Sequence, residues 1–543
     1  MLAWFEGKYC VLLDRFAFNI PMLSWKYGVS FLIPALVVSL SAHAQGEPQI
    51  KKEQVDQAVQ ELEKLAQRAI QDNAVPGLAI AVVFQDRVVY AQGFGVREVA
   101  KSEPVNPDTV FQLASVSKPI GATVVAALVS DKRISWDSKI SDLDPTFAMY
   151  DPWVTREITI RDMYAHRSGL PKHAGDLLED LGYNRAQVLY RLRFQKPESS
   201  FRTNYAYTNF GLTEAAVAAA QAYGLEWADA SEQKLYKRLG MNSTSSRFRD
   251  FMARSNKALG HVLVDGNWVQ KFQRQPDAQS PAGGVSSSVN DMAKWIRLKI
   301  ANGKFGGEQI VPEKALVQMD HPHMLTGFNP LTGLPTFYGL GMNVSYDQEG
   351  RARLNHSGAF ALGAATHVHI VPSEQLGIVI LTNAYPVGLA EGLAWTFIDL
   401  ALYGKVTNDW LALFKKIFSD PAAIGVSVGT DYSKPPASPS AALNSDAYVG
   451  AYANDFFGDI EIVIKDGGLA IVEGPNKMTF ALKHYDRDTF TYETTGENAV
   501  GTTGVHFTIG ADGKAKTMLV ENLNVDKQGT FTRKQAPADT PQD

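Results

Sequence analysis

Apolar residues recur at helical spacing through residues 51–73, where Val55, Ala58, Val59, Leu62, Leu65 and Ala66 share one face, so this stretch predicts an amphipathic helix. The pattern then changes to short apolar runs at 78–84 and 88–91, joined by Gln85-Asp86-Arg87, which predicts a hairpin. Matching runs return at 364–371 and 376–381 and are followed by a helical pattern over 389–403. A long, mostly helical stretch separates the two sets of strands. This order predicts one sheet built from both ends of a domain, with a helical insertion and a cleft between two subdomains, an α/β architecture.

The chain changes character after 403. Residues 434–440, Lys-Pro-Pro-Ala-Ser-Pro-Ser, have the composition of a linker. From about 444 the pattern is all β, with runs at 460–464, 469–472, 480–482, 490–492, 505–509 and 518–520. Asp466-Gly467-Gly468 and Asp512-Gly513 supply turns between them. Short strands at such spacing predict a small barrel or sandwich.

Composition narrows the function. A net charge of −5 leaves no basic field to attract nucleic acid. At the N-terminus, Lys26, an apolar run over 29–40 and Ala42-His43-Ala44 before Gln45 form an export signal cleaved after Ala44. That run is too short for a membrane span, so no integral span is expected after signal removal, and the mature protein is expected in the periplasm or secreted. Translation from Met22 instead of Met1 would give a signal of conventional length. The single cysteine, Cys10, lies in the removed segment, which excludes disulfides and thiol catalysis from the mature chain.

Three short polar motifs carry the candidate chemistry: Ser115-Val116-Ser117-Lys118, Tyr207-Thr208-Asn209 and His356-Ser357-Gly358. The segment after Ser115, residues 120–129, reads as a buried helix, which places Ser115 at a helix N-terminus where free N–H groups favour an alkoxide. Lys118 shares its helix face, and a lysine in a dry pocket can accept the serine proton. Each motif has a chance double, at Ser231…Lys234, Tyr452…Asn454 and His173-Ala174-Gly175. Ser231 sits among charged residues in a stretch that reads as a surface helix, and Tyr452 falls in the β region. Only the set at 115, 207 and 356 has the order and setting the chemistry requires. Ser288 reads as a helix N-cap, His166 as a hydrogen-bonded structural residue, and His321-Pro322-His323 lacks a third ligand at metal-binding spacing. No metal or cofactor is expected.

With these motifs, residues 52–405 resemble the serine β-lactamase and penicillin-binding-protein superfamily, in its class C-related branch of D-stereospecific peptidases, DD-peptidases and carboxylesterases. Residues 163–171, 207–211 and 280–287 carry the same resemblance. Residues 444–533 resemble the lipocalin-like domain often appended to such hydrolases. The resemblance implies a β-lactamase-like antiparallel sheet flanked by helices, a helical subdomain and an all-β barrel. It divides the chain into a signal peptide (1–44), a β-lactamase-like serine hydrolase domain (45–405), a helical segment and linker (406–443) and a lipocalin-like β domain (444–535).

The roles it implies are Ser115 as nucleophile, Lys118 as its activator, and Tyr207, its phenol pKa depressed by Lys118, as proton shuttle. Asn209 would bind substrate or Lys118, and His356 and Gly358 would line the pocket on an edge strand. The N–H groups of Ser115 and Ala359 would form the oxyanion hole. Many β-lactamases have Lys-Thr-Gly at the third motif, and histidine there tilts the expectation toward peptide or ester cleavage. The expected activity is hydrolysis of small peptides, including those with D- or non-standard residues such as linearised microcystin. A carboxylesterase, a β-lactamase and a non-hydrolytic penicillin-binding receptor are the alternatives. The oligomeric state and the role of the barrel stay open.

Overall fold

Alternate residues of one strand divide the N-terminal core. In the computed structural model, which describes residues 48–420 and 430–535, strand β1 (Gly77–Phe84) is buried on both faces. Leu78, Ile80, Val82 and Phe84 point into a cluster shared with helix α1 (Lys52–Gln71) and the helix Leu389–Tyr403. Ala79, Ala81 and Val83 point the other way, into the larger core that includes the helical subdomain. Burial on both sides is what makes this run continuously apolar instead of alternating. The proposed signal peptide lies outside the described residues.

The sheet has eight strands. After β2 (Arg87–Gly95) come β3 (Met324–Phe328), β4 (Pro335–Tyr338), β5 (Asn343–Tyr346), β6 (Ala352–Phe360), β7 (Ala364–Val371) and β8 (Leu376–Thr382), in spatial order β2-β1-β8-β7-β6-β5-β4-β3. Every neighbouring pair is antiparallel. Strands β3 to β5 were not anticipated; they are short and punctuated by Gly and Pro, so the region read as part of the helical insertion. Strand β5 pairs only with residues 352–355 of β6, so its end from His356 to Phe360 is paired on the β7 side alone.

The C-terminal strands follow one another as a meander. They are Gly450–Ala453, Ile460–Lys465, Gly468–Glu473, Met478–Ala481, Lys483–Asp486, Thr489–Glu493, Thr502–Ile509, Ala515–Val520 and Thr530–Arg533, and the first pairs with the last. The run from 478 to 486 bends at Leu482: its first half pairs with Gly468–Glu473 and its second half with Thr489–Glu493. This bent strand nearly closes the barrel and removes the exposed edges of an open sheet.

Polar contacts fasten the barrel to the N-terminal domain. Asp180 accepts hydrogen bonds from the backbone N–H groups of Glu497 (3.0 Å) and Asn498 (2.8 Å). The Tyr183 hydroxyl donates to the Phe457 carbonyl at 2.8 Å. Buried Arg274 pairs with Glu179 at 2.5 Å and approaches Glu497 at 3.7 Å. Glu497 in turn accepts from the Ala361 N–H at 2.6 Å, at the tip of the β6–β7 hairpin.

Candidate active site

Ser115 occupies a turn of 3₁₀ helix, Ala114–Val116, that runs directly into the helix Ser117–Val129. The preceding residue, Ala114, is held at φ 47° in the left-handed region, a strained conformation for a residue with a side chain. It persists because Ala114 is fully buried against Phe360 and Ala364. Ser115 itself is only half-buried.

The three motifs converge on its hydroxyl. Lys118 Nζ lies 3.0 Å from Ser115 Oγ and also donates to Asn209 Oδ1 (2.7 Å) and the Ala282 carbonyl (3.0 Å). Its side chain is fully buried, and burial lowers the amine to about 7 although Asp176 pulls it back up. Tyr207 donates its hydroxyl to Ser115 Oγ at 2.9 Å, and Lys118 Nζ sits 4.5 Å from the centre of the tyrosine ring. Contrary to the expected depression by Lys118, burial raises the Tyr207 phenol well above its usual value. The resting site therefore holds a neutral phenol beside an amine that readily gives up its proton.

Supporting residues fix these groups. Asn209 begins the helix Asn209–Gln221, and its Nδ2 donates to Asp176 Oδ2 at 2.8 Å. The loop carrying Tyr207 is held on both sides by His166, whose carbonyl accepts from the Ala206 N–H and whose Nδ1 accepts from the Thr208 N–H. Buried and kept neutral, His166 has the structural place expected of it. The stretch from Ser280 forms a short helix, Ser280–Gly283, that presents the Ala282 carbonyl to Lys118.

His356 and Gly358 lie on β6. The His356 Nδ1 meets the Ser357 carbonyl at 2.7 Å, and a carbonyl only accepts, so the proton is on Nδ1 and Nε2 accepts from the Tyr338 hydroxyl (2.9 Å). Burial and the Lys118 charge push its pKa far down, leaving a neutral imidazole at this point of the strand. At Gly358 a side chain has no room: a Cβ would stand 2.2 Å from the Leu113 carbonyl oxygen and 3.0 Å from Ser115 N. Glycine there lets the strand press against the turn that carries Ser115, and Ala359 follows it, paired with Ala365.

The structure also brings in residues that the motifs did not single out for this site. His173, dismissed as a chance double, packs its ring 5.7 Å from Tyr207, and its Nδ1–H donates to Asp176 Oδ2 at 3.0 Å. Asp176 thus links His173 to Asn209 and, through it, to Lys118. One signal was available, the polar loop around Gly175, whose φ of 94° starts the helix Asp176–Asp180. The other doubles stay apart. Ser231 is buried, not on a surface helix, and donates its hydroxyl to the Trp227 carbonyl; Tyr452 lies in the barrel core. Ser288 caps the helix Val289–Ile300 through Asp291 N–H. Among the described residues no cluster of His, Cys, Asp or Glu could hold a metal ion, and no helix is long and apolar enough to cross a membrane.

Fold and geometry agree with the comparisons. The Beta-lactamase family profile matches residues 55–403, and residues 434–534 match a domain of unknown function (DUF3471). The chain belongs to the beta-lactamase family of serine hydrolases. Unguisins hydrolase ungD of Aspergillus violaceofuscus is 25% identical over 457 residues, covering 77% of this chain and 80% of its own length. Penicillin-binding protein 4 of Amycolatopsis lactamdurans is 26% identical over 362 residues, covering 65% of this chain and 90% of its own. The octameric penicillin-binding protein homologue from Pyrococcus abyssi aligns with a TM-score of 0.56 at 19% identity over 85% of this chain and 98% of its own, a likeness of fold.

Proposed function

We propose that this protein hydrolyses amide bonds of small peptides through an acyl-enzyme on Ser115. One observation carries the reading: Ser115 Oγ stands between a lysine amine lowered to about 7 and a neutral tyrosine hydroxyl. Lys118, as the free amine, takes the Ser115 proton while Oγ attacks the carbonyl carbon. The N–H groups of Ser115 and Ala359 hold the oxyanion. Collapse of the tetrahedral intermediate breaks the C–N bond, and the Tyr207 hydroxyl protonates the departing nitrogen. The proton on Lys118 restores the phenol. Water then attacks the acyl-enzyme by the same steps reversed, returning Ser115.

Amides come within reach because an amine leaving group needs a proton, and the Tyr207 hydroxyl, protonated at neutral pH and 2.9 Å from Ser115 Oγ, can supply it. The neutral His356 offers no fixed charge to a β-lactam carboxylate, which argues against a β-lactamase role. Substrates with D- or non-standard residues, and export by the N-terminal signal, belong to the same proposal. The test begins with a fluorophosphonate probe on the wild type and Ser115→Ala, with the label located by mass spectrometry. Turnover of a peptide panel, p-nitrophenyl butyrate and nitrocefin is then compared. Label confined to Ser115 with preferential peptide cleavage is expected; full peptide cleavage by Ser115→Ala refutes the reading.

A further inference from the structure

A narrow crevice, open to solvent, runs between the N-terminal domain and the barrel. His173 and Gln195 line it from one domain; Phe456, Val525, Asp526 and Gln528 line it from the other. Its polar groups share an unusual bias. Gln195 is 1% exposed, and its Nε2 donates to the Lys196 carbonyl, which can only accept. That fixes the orientation of the amide and leaves Oε1 as a buried acceptor without a partner. Gln528 repeats the arrangement: Nε2 donates to the Phe194 carbonyl at 3.0 Å, and Oε1 is buried and unpartnered. Two orphaned acceptors in one crevice are a cost that a native structure rarely carries without a ligand or solvent to meet them.

The charges point the same way. Among the described residues Asp526 has no ion pair, and partial burial together with the nearby Glu198 carboxylate raises it to about 6, opposed by His173. Among the described residues, none lining the crevice is a lysine or arginine. Phe456 and Val525 supply apolar wall. Such a site suits a donor-rich cation on an apolar stem, and His173, which lines it, packs its ring 5.7 Å from that of Tyr207.

We propose that this crevice is a substrate subsite, completed by the barrel, for a guanidinium or ammonium side chain of the peptide being cleaved. Gln195 Oε1 and Gln528 Oε1 accept its N–H groups, and the Asp526 carboxylate balances its charge. This rests on the peptidase reading, and it gives the appended barrel a direct part in substrate choice.

The experiment uses the full-length protein as Ser115→Ala, so that binding is read without turnover. Tetrapeptide amides, in D and L forms, carry one arginine at each position in turn, and each has a citrulline counterpart. Calorimetric titration at pH 7.5 is expected to show one position where arginine binds about tenfold more tightly than citrulline. That preference should vanish in Ser115→Ala/Asp526→Asn and shrink in Ser115→Ala/Gln195→Leu, with the melting temperatures of both variants checked against the parent. It should also fade below about pH 6 as Asp526, facing Glu198 and His173, takes up a proton. Equal binding of arginine and citrulline peptides at every position, no binding of any arginine peptide, or a preference that survives Asp526→Asn overturns the proposal. Wild-type turnover separates the two ideas: an arginine preference with no cleavage sinks the peptidase reading and keeps the subsite, while cleavage without the preference does the reverse.

Discussion

Replacing Asp176 by asparagine should make the enzyme work at lower pH. Asp176 reaches Lys118 through Asn209, over hydrogen bonds of 2.8 Å and 2.7 Å on either side of one amide group. That path places the carboxylate about 7 Å from the amine, where two unit charges interact by about 2.4 kcal/mol at an effective dielectric of about 20. Asp176 favours the ammonium form of Lys118, while burial disfavours it. An isosteric neutral partner keeps the acceptor for Asn209 and removes the charge, so the Lys118 pKa falls by one to two pH units on the basis of about 1.4 kcal/mol per unit. Because Lys118 must be neutral to accept the serine proton, the acidic limb of kcat/KM tracks its titration in the free enzyme. The limb should lie near pH 7 in the wild type and between about 5 and 6 in Asp176→Asn. His166 and His356 are held neutral by burial and do not supply this limb. The assay is the initial rate on an uncharged ester from pH 4.5 to 9, with circular dichroism confirming the fold at each pH. A limb that stays in place in the variant would refute the coupling, and one that moves upward would refute its sign.

Three further outcomes are expected. Tyr207→Phe should lower kcat on amides by about 10²–10⁴ and on p-nitrophenyl esters by much less, because that leaving group needs no proton; equal losses on both would remove the phenol from the role of acid. Gly358→Ala should lower fluorophosphonate labelling of Ser115 by about 100-fold or more, since the new Cβ would meet the Leu113 carbonyl at 2.2 Å; near-normal labelling would show that the strand can retreat without disturbing the nucleophile. Arg274→Ala leaves the Glu179 and Glu497 carboxyls buried without their cation and should cost about 3–5 kcal/mol, seen in calorimetry as an earlier melting transition; an unchanged melting profile would show that the barrel is held by its other contacts.

What could be read in advance follows a physical line. Residues 78–84, 364–371 and 376–381 were legible as strands because full burial demands continuous apolar runs, and the observed β1, β7 and β8 match them closely. The three motifs were legible because Ser115 and Lys118 depend on spacing within one helix, and Gly358 on the lack of room for any Cβ. Asp176 and His173 had only the polar loop around Gly175 as a mark, since their positions depend on a turn at Gly175 that packs against Phe210 and Val188. The Tyr207 phenol was read in the wrong direction for a related reason. Spacing brings Lys118 near it, but burial decides which effect wins, and burial is a property of the assembled fold. Likewise Gln195 and Gln528, far apart in the chain, come together only when the barrel docks, where both line one crevice and each keeps an unpartnered carbonyl oxygen. The proposed nucleophile and its base are thus encoded locally, whereas their charge state is set by the fold around them. The His173–Asp176–Asn209 link and the barrel-lined crevice are accordingly where members of this family with the same three motifs should differ in pH range and in the peptides they accept.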